Sequence, residues 1–578
     1  MADAPAGAHV GRNPRYVGRN FGSGATTGWK FSSGAAALAS ALVLYLGLTG
    51  ILLWLSLART GGEFVYAQDD PYIHLAIART LAEHGVWGVR PYEFASASSS
   101  PLWTVMLAAL WKIGARQVWV PFVLNLVFGS ALLVVASRLS TRLIEVPASG
   151  GSLRQVVISS WAVLTAIVLV TPLPTLAFIG MEHSLQVLLV VAFVWQAAQR
   201  LAGERDDWSA PAAVAAAMVA TRYEALFVVA VVSAMLVSQR RWRAALVLGI
   251  AAATPVVLFG WYSVAHGGLV LPNSVLMKSG PSRFGTLASS VSAVLSDWVA
   301  IRALFERPAQ LVLTLAVLIA LMLVPASRLE KNRVALWLGG CFLGVSVLHA
   351  CLVKLEWFYR YEAYLMALGL VTVCSLVPVM EWPMGRPTKR RQPLHPVTVP
   401  LLVVLALPLA VRVLGALATT PKAAANVYEQ QVQLGRFFAR HYPDQTIAVN
   451  DLGAVAWLSA SRILDVVGLA SQEVADLKRG GGLTADALAR LADVHGVQVI
   501  AVYEDIFAPV LPEQWRKVGE WRIADNVGVS GDTVTFLAPD AARAVRLASA
   551  LRAFEDDLPR GVTWLAVDRR IPANVSGR

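Results

Sequence analysis

Residues 34–81 read GAAALASALVLYLGLTGILLWLSLARTGGEFVYAQDDPYIHLAIARTL. From Gly34 to Leu57 the run carries no charge and covers about 24 residues, and a bilayer core is crossed by roughly 20 apolar residues. It is longer than the roughly 7–15 apolar residues of a cleaved signal peptide. It therefore reads as an uncleaved first membrane span behind a flexible leader at 1–33. Shortly beyond it stand two adjacent acids, Asp69 and Asp70, then Pro71 and a stretch with an apolar stripe of Ile73, Ile77 and Leu81. A span that delivers carboxylates to its exit sets the reading of everything that follows.

The composition agrees. Of 578 residues, 56% are hydrophobic and 15% charged, against roughly 45–50% and about 25% in soluble domains. The charges concentrate in the tail: residues 421–578 hold 17 basic and 19 acidic side chains, which leaves a net +14 on the first 420. That excess is what cytoplasmic loops carry, so it calls for no nucleic-acid partner. The three cysteines, Cys341, Cys351 and Cys374, lie in apolar runs without the spacing of a disulfide framework or zinc site.

Further apolar stretches lie at about 117–137, 155–172, 183–199, 243–265, 308–325, 334–353, 363–380 and 397–416. The stretch Pro211–Val237 is apolar except for Arg222, Tyr223 and Glu224, and reads as two short spans meeting at a polar point. The expected fold is an α-helical polytopic membrane protein of about eleven transmembrane helices. Cytoplasmic loops are rich in Lys and Arg, and a cytoplasmic N-terminus puts 19 of the 32 basic residues of the membrane part inside. Pro101–Gly114 reads as a helix lying in the interface, since counting it as a span would turn the basic loop 138–154 outward.

The expected domains are the cytoplasmic leader 1–33, a transmembrane domain 34–418 with its first outer loop at 58–116, and an extracytoplasmic domain 419–578. In the last, short apolar runs at Thr446–Val449, Val497–Val502, Thr533–Leu537 and Val562–Val567 alternate with helical stretches at Val427–Arg440 and Ala485–Val494. That alternation predicts a small α/β domain.

With this topology the polar residues hardest to explain as packing all reach the outer surface: Asp69, Asp70, His74, Glu182, His183, Arg222, Tyr223, Glu224, Lys278, Glu356, Arg360 and Glu362. Ionisable groups beside hydrocarbon are costly and often functional. Asp70 before Pro71 is placed to cap a helix, which accounts for one acid and leaves the other. His74 falls four residues after Asp70, on the same helical face. The pattern suits a general base or a metal ligand set. Glu182 and His183 can join Asp69 and Asp70 around a divalent cation such as Mg, Mn or Zn. Equally, Arg222 and Glu224 read as an ion pair joining the half-spans, and the Ser-rich EFASASSSPLW (93–103) as a linker or a sugar or phosphate contact. Asp451 reads as a turn residue and His495 as an ordinary domain histidine.

The order DDPYIHLAIARTLAEHGVWG (69–88), SSSPLW (98–103), GMEHSL (180–185), TRYEAL (221–226) and LPNSVLMKSG (271–280), with NDLGAVAWLS and ILDVVGLAS in the tail, resembles the GT-C superfamily of integral-membrane glycosyltransferases. Within it the chain is most similar to the terminal β-1,2 arabinofuranosyltransferases of mycobacteria and their bacterial relatives. Pro71 and His74 stand where that group has a DDAYI-like motif, and FASASSS replaces a more aromatic, Gly-containing stretch, so the sugar stays open. The resemblance implies a bacterial inner-membrane enzyme that moves a sugar from a polyprenyl-phosphate donor to a cell-envelope glycan, lipid or protein acceptor on the outer face. It places the key acid at Asp69 or Asp70. His74, Glu182, His183, Arg222, Glu224, Lys278 and Arg360 then line the substrates, with Lys278, Arg222 and Arg360 suited to the departing phosphate. Some superfamily members use a metal and others do not. The competing readings are a lipid-linked glycan polymerase or ligase, and a flippase or transporter, although transporters favour repeated halves and midplane sites.

Overall fold

The computed structural model describes residues 25–143, 153–279, 307–353, 358–376 and 398–566. Among the described residues six helices are long and apolar enough to cross a membrane: Gly34–Arg59, Val120–Thr141, Ser160–Ile179, His183–Leu201, Trp242–Ala265 and Arg333–Leu352. Four shorter apolar helices, Ser209–Thr221, Ala225–Ser238, Pro308–Leu323 and Ala363–Leu376, fall where the remaining hydropathy maxima are. In chain order the elements that position the site are α1 (Ala25–Arg59), α2 (Asp70–His84), α3 (Pro101–Lys112), α4 (Val120–Leu143), α5 (Leu153–Val170), α6 (Leu173–Ile179), α7 (His183–Leu201), α8 (Ser209–Thr221), α9 (Ala225–Ser238), α10 (Trp242–Ala265) and α11 (Asn273–Ser279). After them come α12 (Pro308–Leu323), α13 (Ala326–Lys331), α14 (Arg333–Leu352), α15 (Ala363–Leu376) and α16 (Thr398–Val427).

The stretch 211–237 divides as its sequence predicts. α8 ends at Thr221, Arg222 turns extended at φ −155° and ψ 133°, and α9 starts at Ala225. The Arg222–Tyr223–Glu224 break thus sits at the meeting point of two helices of 13 and 14 residues, each roughly 20 Å long. The helix expected at 101–114 forms as α3, whose Trp103, Leu107 and Trp111 are buried.

Two boundaries differ from expectation. α1 begins at Ala25, inside the expected leader, of which residues 1–24 lie outside the described residues. No linker separates the helical part from the tail at 418–419: α16 runs on to Val427, passes through a π-helical turn at Tyr428–Val432 and continues as α17 (Gln433–His441).

The tail is a six-stranded mixed sheet in the order β2-β1-β3-β5-β4-β6, built from β1 (Thr446–Val449), β2 (Arg462–Asp465), β3 (Val499–Val502), β4 (Arg516–Ile523), β5 (Thr533–Ala538) and β6 (Val562–Ala566). β1 pairs in parallel with both β2 and β3, in register Ile447 with Ile463 and with Val499; β5, β4 and β6 add antiparallel. α18 (Gly453–Leu458), α19 (Gln472–Arg479), α20 (Ala485–Val494), α21 (Glu504–Phe507) and α22 (Ala541–Phe554) complete it. Phe437, Trp521, Phe536 and Phe554 stack at its centre.

The sheet domain docks on the loop that follows α1. The buried Arg90 guanidinium donates to the carbonyls of Ser461 at 2.8 Å and Ala456 at 2.7 Å. Arg79 donates to the carbonyls of Trp457 and Ala456, both at 3.1 Å, and lies over the Trp457 ring at 4.9 Å. Charge-assisted hydrogen bonds from a buried cation contribute about 1.5–3 kcal/mol, and the carbonyls lose their partners when it goes. Replacing Arg90 with Met is therefore expected to cost roughly 2–3 kcal/mol, read as a lower thermal midpoint in detergent and faster proteolysis of residues 419–566; an unchanged midpoint would show that the docking does not rest on this side chain.

Candidate functional site

The chain between α1 and α2 is fixed before it reaches the two aspartates. Tyr66 Oη donates to the Val118 carbonyl at 2.6 Å, and the Ala67 N–H to the Phe178 carbonyl at 2.9 Å. Gly180 follows Phe178 in the left-handed region at φ 66°, where a Cβ would stand 2.3 Å from the Tyr66 ring. Only glycine allows both the turn and the close approach.

Asp69 and Asp70 then separate. Asp69 occupies the position before α2, yet it caps nothing there. Its carboxylate turns to the tail, accepting the Gly453 N–H at 2.6 Å and the Ala454 N–H at 2.7 Å. Gly453 is required by this contact, since a Cβ would lie 2.2 Å from the Asp69 carbonyl oxygen. Asp70 is the first residue of α2, one place beyond the capping position expected for it. It pairs with Arg360 at 3.0 Å. Arg360 also donates to Gln68 Oε1, to Met181 Sδ at 3.1 Å and to Tyr361 Oη at 3.2 Å, while its Nε meets no acceptor among the described residues.

A second set of charges lies alongside. Glu182, fully buried at the start of α7, accepts from Arg222 at 2.7 Å, and Arg222 also reaches Glu224 at 2.7 and 3.1 Å. Arg222 and Arg360 lie over the Tyr361 ring at 5.2 and 5.0 Å, and His183 meets the same ring edge-on at 6.1 Å. Glu182 Oε2 has no hydrogen-bond partner among the described residues and stands 3.9 Å from His74 Nε2. His74 Nδ1 lies 3.2 Å from both Thr104 Oγ1 and Ser98 Oγ, and these two hydroxyls are 2.8 Å apart. The Ser-rich segment is thus packed, with Ser96, Ser98 and Ser100 buried, and the linker alternative falls away.

Asp70, Ile73, His74, Ala97, Ser99, Met181 and Ser274 line one narrow cleft. Its free volume is about 10 Å³, the room of a single water. Four separate stretches of sequence meet there: DDPYIH, the Ser-rich loop, GMEH and LPNSVLMK. Lys278 belongs to α11, one turn from Ser274, and its side chain lies outside the described residues, as does Glu356. Glu362 sits apart, paired with Arg412 of α16.

The cation set of Asp69, Asp70, Glu182 and His183 does not come together. Asp69 is taken by backbone N–H groups, Asp70 by Arg360 and Glu182 by Arg222. Among the described residues no group of three or more His, Cys, Asp and Glu side chains is placed to hold a metal ion.

The tail adds a residue that its sequence placed in a turn. Asp451 Oδ2 accepts from Gln431 Nε2 at 2.8 Å and meets Tyr503 Oη, which lies 2.5 Å from Gln430 Oε1. Gln430 and Gln431 come from the π-helical turn after α16, a feature frequent at functional sites. Burial, and then the neighbouring charge of Asp451, pushes the Asp69 carboxyl well above the usual carboxylate range against the pull of its two N–H donors. Burial likewise raises Asp451, with Asp70 adding to it, and burial beside Asp451 holds the Tyr503 phenol protonated. Tyr361, Gln68 and Tyr503 carried no motif of their own; only their adjacency to Arg360, Asp69 and a β-strand end pointed to them.

A family profile described as a domain of unknown function (DUF8728) matches residues 425–537, which include Gln430, Gln431, Asp451 and Tyr503. No curated protein and no solved structure matches the chain.

The raised carboxyls bind protons more tightly folded than unfolded, so their contribution to stability is fully present below about pH 4 and is lost as the pH rises through their raised values. Thermal midpoints from pH 4 to 9 are expected to fall less steeply for Asp451→Asn than for the parent; parallel curves would contradict the assignment. Gly453→Ala is expected to cost about 1–3 kcal/mol by overpacking, measurable as a lower midpoint at any pH.

Proposed function

We propose that the chain is a GT-C-type membrane glycosyltransferase that moves a sugar from a polyprenyl-phosphate donor to an envelope glycan, lipid or protein hydroxyl. In this reading the six long apolar helices and the five shorter or later ones cross the bacterial inner membrane as about eleven spans, with the sheet domain on the outer side. The observation that carries it is the meeting of the four motif stretches on one cleft, with the Asp70–Arg360 pair at its edge.

Asp70 is the base in this scheme. Its carboxylate, 20% exposed beside a nearly buried guanidinium, takes the proton of the acceptor hydroxyl. The acceptor oxygen bonds to the anomeric carbon as the bond to phosphate breaks, and polyprenyl phosphate leaves with the electron pair. Arg360, through its unengaged Nε, and Lys278 stabilise that charge. His74, held by Ser98 and Thr104, orients sugar hydroxyls. Arg222 is engaged by Glu182 and Glu224 and acts as scaffold at the break between α8 and α9. Asp69 is the clamp, and no metal step is invoked.

The test supplies the purified full chain with a panel of polyprenyl-monophosphate sugars and bacterial envelope extract, and follows released polyprenyl phosphate. Turnover of one donor is expected, reduced at least about 100-fold in Asp70→Asn while that variant stays folded at the assay temperature, and unchanged by chelator. Turnover of diphosphate-linked donors only, or undiminished turnover by Asp70→Asn, would sink this assignment.

A further inference from the structure

A second, larger cavity lies far from that cleft. It lies beyond the opposite ends of α7, α8 and α9, roughly 28 Å along α7 from Glu182 given the rise per residue. Its volume is about 740 Å³, and its walls include Asp207, Trp208, Arg240, Arg241, Trp242 and Arg243.

The charges on its walls are unevenly spent. Arg241 is neutralised by Asp206 and donates to the Arg200 carbonyl at 2.5 Å. Asp207 is also consumed, accepting the Ser209 N–H at 3.0 Å and the Ser209 hydroxyl at 2.8 Å at the start of α8. Arg240 and Arg243 remain, and among the described residues their guanidinium groups form no ion pair or hydrogen bond. α10 begins here with no side-chain cap, so its N–H groups add positive potential. Trp208 is 7% exposed and lines the cavity, and its indole Nε1 is a buried donor with no acceptor among the described residues. Two uncommitted cations and an uncapped helix start thus face one space, with the buried Trp208 ring in its wall. What all of them lack is an anion with several acceptor oxygens.

The rim says what carries that anion. Trp242, Leu246 and Ile250 follow at four-residue spacing along α10, on one face, and all three are exposed. An apolar stripe that leads directly out of a cationic pocket fits a molecule with an anionic head and an apolar tail.

We propose that this cavity binds the phosphate headgroup of an anionic membrane lipid, held by Arg240 and Arg243, with its chains along Trp242, Leu246 and Ile250. The assignment rests on the membrane-spanning part of the reading above and is independent of the glycosyl transfer. A bound headgroup anchors the ends of α7, α8, α9 and α10 together, and the first three are the helices whose other ends, at Glu182, Arg222 and Glu224, form the buried charge set beside the cleft.

The test purifies the full chain in neutral detergent, after confirming by alkaline wash that it stays with the membrane fraction, and measures lipid retention by native mass spectrometry. Phosphatidylglycerol is expected to be retained over phosphatidylcholine. Its affinity should fall about tenfold or more in the Arg240→Gln, Arg243→Gln double variant, since each basic residue near an anionic surface adds a comparable increment. The single variants Arg240→Gln and Arg243→Gln should each weaken it a few-fold and serve if the double variant does not fold. Equal retention of the two lipids, or of phosphatidylglycerol by parent and variants, overturns the proposal. So does glycerol 1-phosphate competing as strongly as the whole lipid, which would assign the cavity to a soluble phosphate. A chain released by the alkaline wash would fail the membrane reading itself, a result distinct from either.

Discussion

A single carboxylate joins the two halves of this protein. Asp69 lies between the first long helix and α2, and its two oxygens accept consecutive backbone N–H groups at the start of α18 in the sheet domain. The contact is buried, and it has no slack because Gly453 leaves no room for a side chain. Arg79 and Arg90 reinforce it by donating to carbonyls at the other end of α18 and beyond. The sheet domain is therefore held against the first loop by bonds that use up side-chain charge on backbone groups, an arrangement specific in direction and costly to break.

The clamp determines what its neighbour can do. With Asp69 facing the tail, the first turn of α2 sends Asp70 the other way, toward Arg360 and the cleft. Two identical residues in succession thus take different partners, one a pair of backbone N–H groups and the other a guanidinium at the cleft. Around them nearly every charge is matched: Glu182 and Glu224 by Arg222, Glu362 by Arg412. Buried ion pairs do little for stability compared with apolar packing, while losing one partner of such a pair is costly, so this set fixes how the helix ends meet more than it adds to their stability. Asp451 and Tyr503 bring the sheet domain into the same electrostatic neighbourhood, and that makes the tail part of the site rather than an appendage.

Much of this was legible in the chain because hydropathy is a local property. The long apolar helices, the break at Arg222–Glu224 and the helix at Pro101 all follow from residues close in sequence. β1, β3, β5 and β6 were readable as apolar runs, whereas β2 was not: RILD is a four-residue edge strand with a charge at each end. β4 hid for a related reason, since RKVGEWRI is half charged and carries a bulge at Lys517–Gly519. The site residues were found by type and order, but their partners were not. Nothing near Asp69 announces Gly453, 384 positions away, and nothing in the NDLG turn shows that Asp451 meets a π-helical glutamine and a strand-end tyrosine. The expected cation set failed for the same reason, because each of its acids finds a cation or an N–H that sequence proximity does not reveal.

The central claim is that Asp70 and Arg360 act on one another at the mouth of the cleft while Asp69 serves the fold. A double-mutant cycle measures this without any knowledge of the substrate. Thermal or denaturant stability would be determined for the parent, Asp70→Asn, Arg360→Met and the double variant. Coupling of about 1–3 kcal/mol is expected for two groups in direct contact, with Arg360→Met the costlier single change because it strands a carboxylate. Additive effects within about 0.5 kcal/mol would mean that the pair does not exist, and the cleft would lose the residue on which its chemistry depends.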